Sequence, residues 1–247
     1  MKMIDLTRLT PQALSSEPYR WAFVDRLFSA VDCEALVKTF PHDHFKTVEG
    51  YDGEKGYQYE ARSLIGMGND APTRGQFLSP VWQRLAEDLL SPAYREAVSN
   101  LTGVDLTDLP IEANVFHYGR SAWLGPHVDL ADKVVTHVFY FNEVWDENDG
   151  GCLTILRDGD MSQIVKVISP LVGNSVVLVR SDNSWHSVSR VREKCRTSRR
   201  SLALTFYRPG SPSTMWPAND FARLHDYRGE QPRWRRLVRQ SLRRIRG

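Results

Sequence analysis

Three residues of this chain have the types and spacing to hold a metal: His127-Val-Asp129 and, further on, His186. In an extended strand residues i and i+2 point to the same face, so His127 and Asp129 converge on one ion. His186 lies in a later β-type run that can pair beside them. Two neutral imidazoles and one carboxylate on one face of an octahedron leave three positions open. That donor set suits an iron(II) that must take a chelating small molecule and O2 together. Other chemistries lack their motifs, since no GxxxxGK, GxGxxG or GxSxG occurs anywhere, which removes phosphate loops, dinucleotide fingerprints and nucleophile elbows.

The elements that must position these residues change character along the chain. Residues 1–105 carry mostly helical spacing, in Trp21 to Phe28, Cys33 to Phe40 and Val81 to Leu90, and Glu49 to Tyr59 is a Gly- and charge-rich loop or irregular hairpin. From 106 to 212 the pattern is of short strands divided by turn residues: Ile111–Tyr118, Val134–Phe141, Cys152–Leu156, Ile164–Ile168, Ser175–Val179, His186–Val191 and Ser201–Tyr207. Strands at this spacing predict a mainly β, double-sheet jelly roll with N-terminal support helices, all within one domain over 1–212. Pro209, Pro212 and Pro217 end the sheet, and 213–247 reads as a Pro-containing linker and a basic amphipathic tail.

The context of the metal-type residues is ordered. Tyr118-Gly precedes them; Tyr140-Phe-Asn-Glu-Val-Trp, Gly150-Gly-Cys-Leu, Ser181-Asp-Asn-Ser-Trp-His186 and Arg199-Arg-Ser-Leu follow. With these motifs the chain resembles the Fe(II)- and 2-oxoglutarate-dependent dioxygenases, in their prolyl-hydroxylase-like branch, over roughly Ile111 to Pro209. The resemblance implies a distorted double-stranded β-helix, Fe(II) held by His127, Asp129 and His186, and 2-oxoglutarate and O2 as cosubstrates, with ascorbate as reductant. It implies Arg199 as anchor of the 2-oxoglutarate distal carboxylate; the family's usual spacing from the distal His is shorter, which makes Arg196 the rival. A planar guanidinium gives such a carboxylate two parallel charge-assisted bonds. Ser201 shares the strand face of Arg199 and can add a hydroxyl, and Tyr140 and Tyr118 match positions where relatives place tyrosines near that end. The reaction implied is hydroxylation of an unactivated C–H bond with succinate and CO2 as coproducts. Asp129 favours hydroxylation over halogenation, because halogenating relatives put a small residue there. A non-catalytic jelly-roll binding module, or a cupin-like metal enzyme that does not use 2-oxoglutarate, is the alternative; the latter does not require Arg199.

Other residues read as structural. His42 and His44 fall in a surface loop after Pro41, His117 and His137 are packed strand imidazoles, Cys152 is a small buried residue and Arg200 faces away from Arg199. Arg120, Trp123 and Asp132 lie near the expected mouth of the barrel. The 247 residues carry a formal charge of +2, yet Arg228 to Gly247 contribute about +7, leaving about −5 for the rest. Basic charge is thus a property of the tail. Trp234, Leu237, Val238, Leu242 and Ile245 fall on one helical stripe amid arginines, so residues 231–247 can lie on an anionic membrane surface beside a glycan- or lipid-linked substrate, or serve an enzyme of small molecules. Nucleic acid is not expected, since no recognition fold surrounds the basic run. With neither a signal segment nor an apolar span in view, and with three cysteines in no pairing pattern, the chain reads as cytoplasmic, with its thiols reduced.

Overall fold

The computed structural model describes residues 2–51 and 56–229. In chain order its elements are β1 (Leu14–Ser15), β2 (Trp21–Val24), α1 (Ala30–Lys38), β3 (Lys46–Tyr51), β4 (Gly56–Ile65), α2 (Pro80–Leu90) and α3 (Pro92–Thr102). The β-rich half follows as β5 (Ile111–Tyr118), β6 (Trp123–His127), β7 (Lys133–Tyr140), β8 (Leu153–Leu156), β9 (Ile164–Ile168), β10 (Ser175–Val179), β11 (His186–Val188) and β12 (Arg199–Tyr207). Neighbours are antiparallel in the order β1-β2-β10-β7-β12-β5-β4-β6-β11-β8-β9, with β3 on β4. β4 is the corner: Glu60 to Ile65 pair with β5, whereas Tyr57 and Gln58 pair with β6. The sheet therefore turns back on itself, and Val138, Tyr140, Val176 and Leu178 of one layer pack against Leu153, Ile155 and Ile168 of the other. The fold is the expected distorted jelly-roll double-stranded β-helix.

Strict alternation along the larger layer separates core from site. Val135, Phe139, Leu202, Leu204 and Phe206 face the helices and join Leu36, Trp82, Leu85, Tyr94 and Val98 in one buried cluster. Thr136, Tyr140, Arg199, Ser201 and Thr205 point inward by the same period of two. Helix ends follow local chemistry. The Ser29 hydroxyl accepts from Asp32 N–H to open α1, and Ser91 with Pro92 opens α3, which Gly103 closes in the left-handed conformation at φ 67°.

Trp21 to Phe28 corrects the helical expectation. Residues 21–24 form β2 and pair with β10, with Trp21 buried toward the inner cluster and Ala22 and Val24 toward the helical one. An apolar run buried on both faces has no period that tells strand from helix. The first 105 residues thus supply four strands as well as helices; two of the three expected helical segments form, as α1 and α2, and α3 joins them. The stretch from 213 to 229, expected as the start of a linker, lies against the sheet: Tyr227 stacks on His117 at 3.7 Å and Trp216 Nε1 donates to Asn114 Oδ1 at 2.6 Å. The tail 231–247 lies outside the described residues, and among these no helix is long and apolar enough to cross a membrane.

Two imidazoles tie the sheet to its surroundings, His137 to a helix and His117 to two loops. His137 shares hydrogen bonds with Tyr94 Oη at 2.9 Å and Ser175 Oγ at 2.8 Å, and His117 with Ser198 Oγ at 2.7 Å and Pro41 O at 3.1 Å. Burial lowers both to about 3. An unfolded histidine titrates near 6.5, so below that pH the unfolded chain binds more protons and stability falls as pH drops, by about 1.4 kcal/mol per unit for each histidine. Urea denaturation between pH 6.5 and 5 is expected to show this slope, and His137→Gln to remove about 1.4 kcal/mol per unit of it; an unchanged slope would mean that His137 is not held neutral.

Candidate metal centre and carboxylate pocket

β11 lies against β6 with His186 directly opposite His127, and the two rings are 4.3 Å apart. Each Nδ1–H donates to the carbonyl two residues before it, His127 to Gly125 O and His186 to Ser184 O, both at 2.9 Å. These bonds fix the tautomers and leave the lone pair of each ring on Nε2. Asp129 is not in the strand as expected, since β6 ends at His127. Its carboxylate still turns to the same side, with Oδ1 4.0 Å from His127 Nε2. One ligand atom from each of His127, Asp129 and His186 lies within 4.8 Å of the others, and all three residues are buried. No other His, Cys, Asp or Glu group among the described residues could hold an ion, so His42 and His44 form none.

Asp129 is prepared for a cation. Burial opposes its charge, but Lys133 and the two imidazoles outweigh burial and hold the carboxyl well below the usual range. Lys133 Nζ donates to Oδ1 at 2.7 Å and Thr136 Oγ1 to Oδ2 at 3.0 Å, so both oxygens are oriented. The donor set, its tautomers and its burial fit a divalent ion that keeps open positions. Sequence reasoning missed Lys133 and Thr136, although Lys133 stands four residues after Asp129 at the start of β7. It also missed Tyr19, whose ionisation is pushed up by burial and by the nearby Asp129.

Deeper between the sheets, Arg199 is 2% exposed. Its Nη1 donates to Ser201 Oγ at 2.6 Å, and its guanidinium carbon stands 4.7 Å from the Tyr118 ring and 5.3 Å from the Tyr140 ring. Arg199 Nε and Tyr140 Oη are buried without a hydrogen-bond partner among the described residues. Burial pushes the Tyr118 hydroxyl up to about 12 and raises that of Tyr140 against the pull of Arg199, so both remain proton donors. A guanidinium and a phenol with unmatched donors, beside a serine hydroxyl, fit one carboxylate. The Gly150-Gly151 turn needs both glycines: both have positive φ, and a Cβ on Gly150 would overlap the Arg190 carbonyl oxygen and one on Gly151 would stand 2.9 Å from the Trp145 ring.

The remaining sequence candidates separate. Arg196 is exposed, and Arg200 points to the helical side near the Phe40 ring at 5.6 Å. Arg120 donates to Cys195 O at 2.9 Å and Trp123 lies under Arg190 at 3.7 Å, at the end of β6 away from His127 and so not at the mouth. Asp132 stays beside Lys133. Cys152 is buried.

Residues 113–208 match the family model of the 2OG-Fe(II) oxygenase superfamily. Among solved structures, a prolyl-4-hydroxylase of Pseudomonas putida is 21% identical over 76% of this chain and 92% of its own, with a TM-score of 0.52. An oxidoreductase of the 2OG-Fe(II) oxygenase family from Burkholderia pseudomallei is 17% identical over 76% of this chain and 85% of its own, at 0.51. A prolyl hydroxylase of Trichoplax adhaerens, solved with a hypoxia inducible factor peptide fragment, is 16% identical over 76% and 83%, also at 0.51. At such identities the likeness is one of fold. No curated protein matches the chain.

The geometry separates ligands from the residues that orient them. Thr136→Val is expected to weaken Co(II) or Mn(II) binding about 10–100-fold, and His186→Ala to weaken it further while the circular dichroism is retained. Equal losses in titrations of the two variants would contradict the assignment.

Proposed function

We propose that this chain, whose residues 113–208 match the family model of the 2OG-Fe(II) oxygenase superfamily, is a 2-oxoglutarate-dependent dioxygenase that hydroxylates an unactivated C–H bond of a small-molecule or peptide substrate. His127, Asp129 and His186 hold Fe(II), and Arg199, Ser201 and Tyr140 hold the distal carboxylate of 2-oxoglutarate, with Tyr118 on the guanidinium face. The observation that carries this reading is the buried Arg199 and Tyr140 pair with donors unmatched among the described residues, on the inward face of the larger layer, across the interior from β6 and β11, which carry His127 and His186. When bound, the iron supplies the redox chemistry in which O2 converts 2-oxoglutarate to succinate and CO2 and oxidises the C–H bond.

The chain's own residues do the rest. Arg199 and Ser201 would hold one carboxylate of the dicarboxylate, and a metal held by His127, Asp129 and His186 would take its oxo-acid end. Tyr140 keeps its proton and donates it in a hydrogen bond. Lys133 and Thr136 hold Asp129 ionised and oriented. Val138 and Tyr140, packed against Leu153 and Ile155, keep bulk water from the chamber.

Succinate release with Fe(II), 2-oxoglutarate and ascorbate tests the reading; no release, with or without candidate substrates, would refute it. Loss of a buried bidentate partner costs on the order of 2–5 kcal/mol, roughly thirtyfold or more in affinity. Arg199→Ala is therefore expected to raise the 2-oxoglutarate requirement at least that much, and Arg200→Ala to leave it nearly unchanged.

A further inference from the structure

A cavity of about 340 Å³ opens beside the metal-type centre, bounded by Val128, Asp129, Leu130, Arg180, Asp182 and Trp185. We propose that it is the anchoring subsite of the substrate, and that it takes a carboxylate attached to an apolar or aromatic body. This rests on the oxygenase reading for the words substrate and subsite, but the binding chemistry stands on these residues alone.

Arg180 continues the inward alternation of Val176 and Leu178, one step past the end of β10, where Leu178 pairs with Thr136. Its Nε donates to the backbone carbonyl of Asp129 at 3.4 Å, so the guanidinium is held one residue's breadth from a metal-ligating carboxylate. Its Nη1 pairs with Asp182 at 2.6 Å, but the Asp182 side chain is 93% exposed whereas that of Arg180 is 24% exposed. An ion pair with one partner so fully in water contributes little. An incoming carboxylate can displace Asp182 and use the planar fork of the guanidinium in two parallel bonds. The rest of the wall is apolar. Leu130 is 45% exposed, outside the buried clusters, and Trp185 is half-buried. The indole is fixed by close backbone approach, since a Cβ on Gly159 would stand 3.3 Å from it, and the Trp185 carbonyl accepts from Tyr19 Oη at 3.2 Å. A rigid aromatic wall, an apolar flap and a guanidinium together recognise an acid with a ring or alkyl body. The size of the cavity lies at the lower end of the range for small-molecule sites, so it holds one end of a substrate and leaves the reacting carbon to reach the metal.

The test is calorimetric titration of the Mn(II)-loaded protein, saturated with 2-oxoglutarate so that Arg199 is engaged. Two probe pairs are used: 3-phenylpropionate against 3-phenylpropanamide, and N-acetyl-Ala-Phe with a free carboxylate against its C-terminal amide, which separates a free acid from a peptide terminus. In at least one pair the acid is expected to bind roughly tenfold or more tightly than the amide, with the preference lost in Arg180→Gln and the acid tightened in Asp182→Asn. No preference in either pair, or one that survives Arg180→Gln, overturns the subsite. Should Arg180→Gln fail to fold, Asp182→Asn decides: tighter acid binding supports the proposal and unchanged binding overturns it. Succinate release by the unaltered protein is measured separately, so a failed oxygenase reading and a failed subsite give different results.

Discussion

Everything at the centre depends on the register of one short antiparallel pair. β11 meets β6 with His186 opposite His127, and because side chains alternate at a period of two, a slip of one residue would carry the imidazole to the other face and bring Ser187 inward. Three residues cannot hold a register alone. β11 is fixed on its other edge by β8, where His186 faces Ile155 and Val188 faces Leu153, and β8 in turn carries β9. β6 is hung from β4, whose Tyr57 and Gln58 pair with Leu124 and Trp123. The bend of β4 between two partners is therefore what places the smaller sheet over the larger one, and the metal-type centre at their shared interior.

The larger sheet serves the core and the site with the same strands. On β7, Phe139 packs among the aromatic rings of the helical side while its neighbour Tyr140 faces Arg199. On β12, Leu202 and Leu204 are wholly buried against the helices while Arg199 and Ser201 face the pocket. Close-packed interiors pass on small displacements rather than absorb them. The contact of Trp82 with Phe141 at 4.9 Å thus reaches the pocket through a single strand, and the support helices determine how accurately the carboxylate donors are placed.

What was legible in the sequence follows from the same alternation. Seven of the eight strands from Ile111 onward were readable because turn residues bound them, whereas β6, with Gly125 and Pro126 inside it, was not; His127, Asp129 and His186 were legible from the ordered motifs around them, since Asp129 lies past the end of β6. β2 was not readable, since burial on both faces erases the period, and β4 was not, since its two halves pair with different strands. α3 had its Ser91-Pro92 opening and Gly103 ending in plain sight, but its apolar positions are diluted by Arg95, Glu96 and Asn100. Lys133, Thr136 and Tyr19 escaped for a different reason: a lone lysine or threonine in a strand has no spacing signature, and only the folded chain brings its donor to Asp129.

Charge divides the interior into two unlike halves. Near the mouth the account is balanced within the chain, since Asp129 has Lys133 at 2.7 Å and any bound divalent ion adds to an anion already oriented. At the deep end Arg199 is buried, and the residues around it, Tyr118, Tyr140 and Ser201, are neutral because burial keeps both phenols protonated. A buried guanidinium without an anion destabilises a fold by several kcal/mol, more than ring contacts at 4.7 and 5.3 Å return, at about 0.5–2 kcal/mol each. On the proposed function, a dicarboxylate held by Arg199 would relieve this imbalance, and its binding would then be linked to fold stability through one residue. On that proposal the same imbalance would select for length and charge together, since a monocarboxylic oxo acid would leave Arg199 uncompensated.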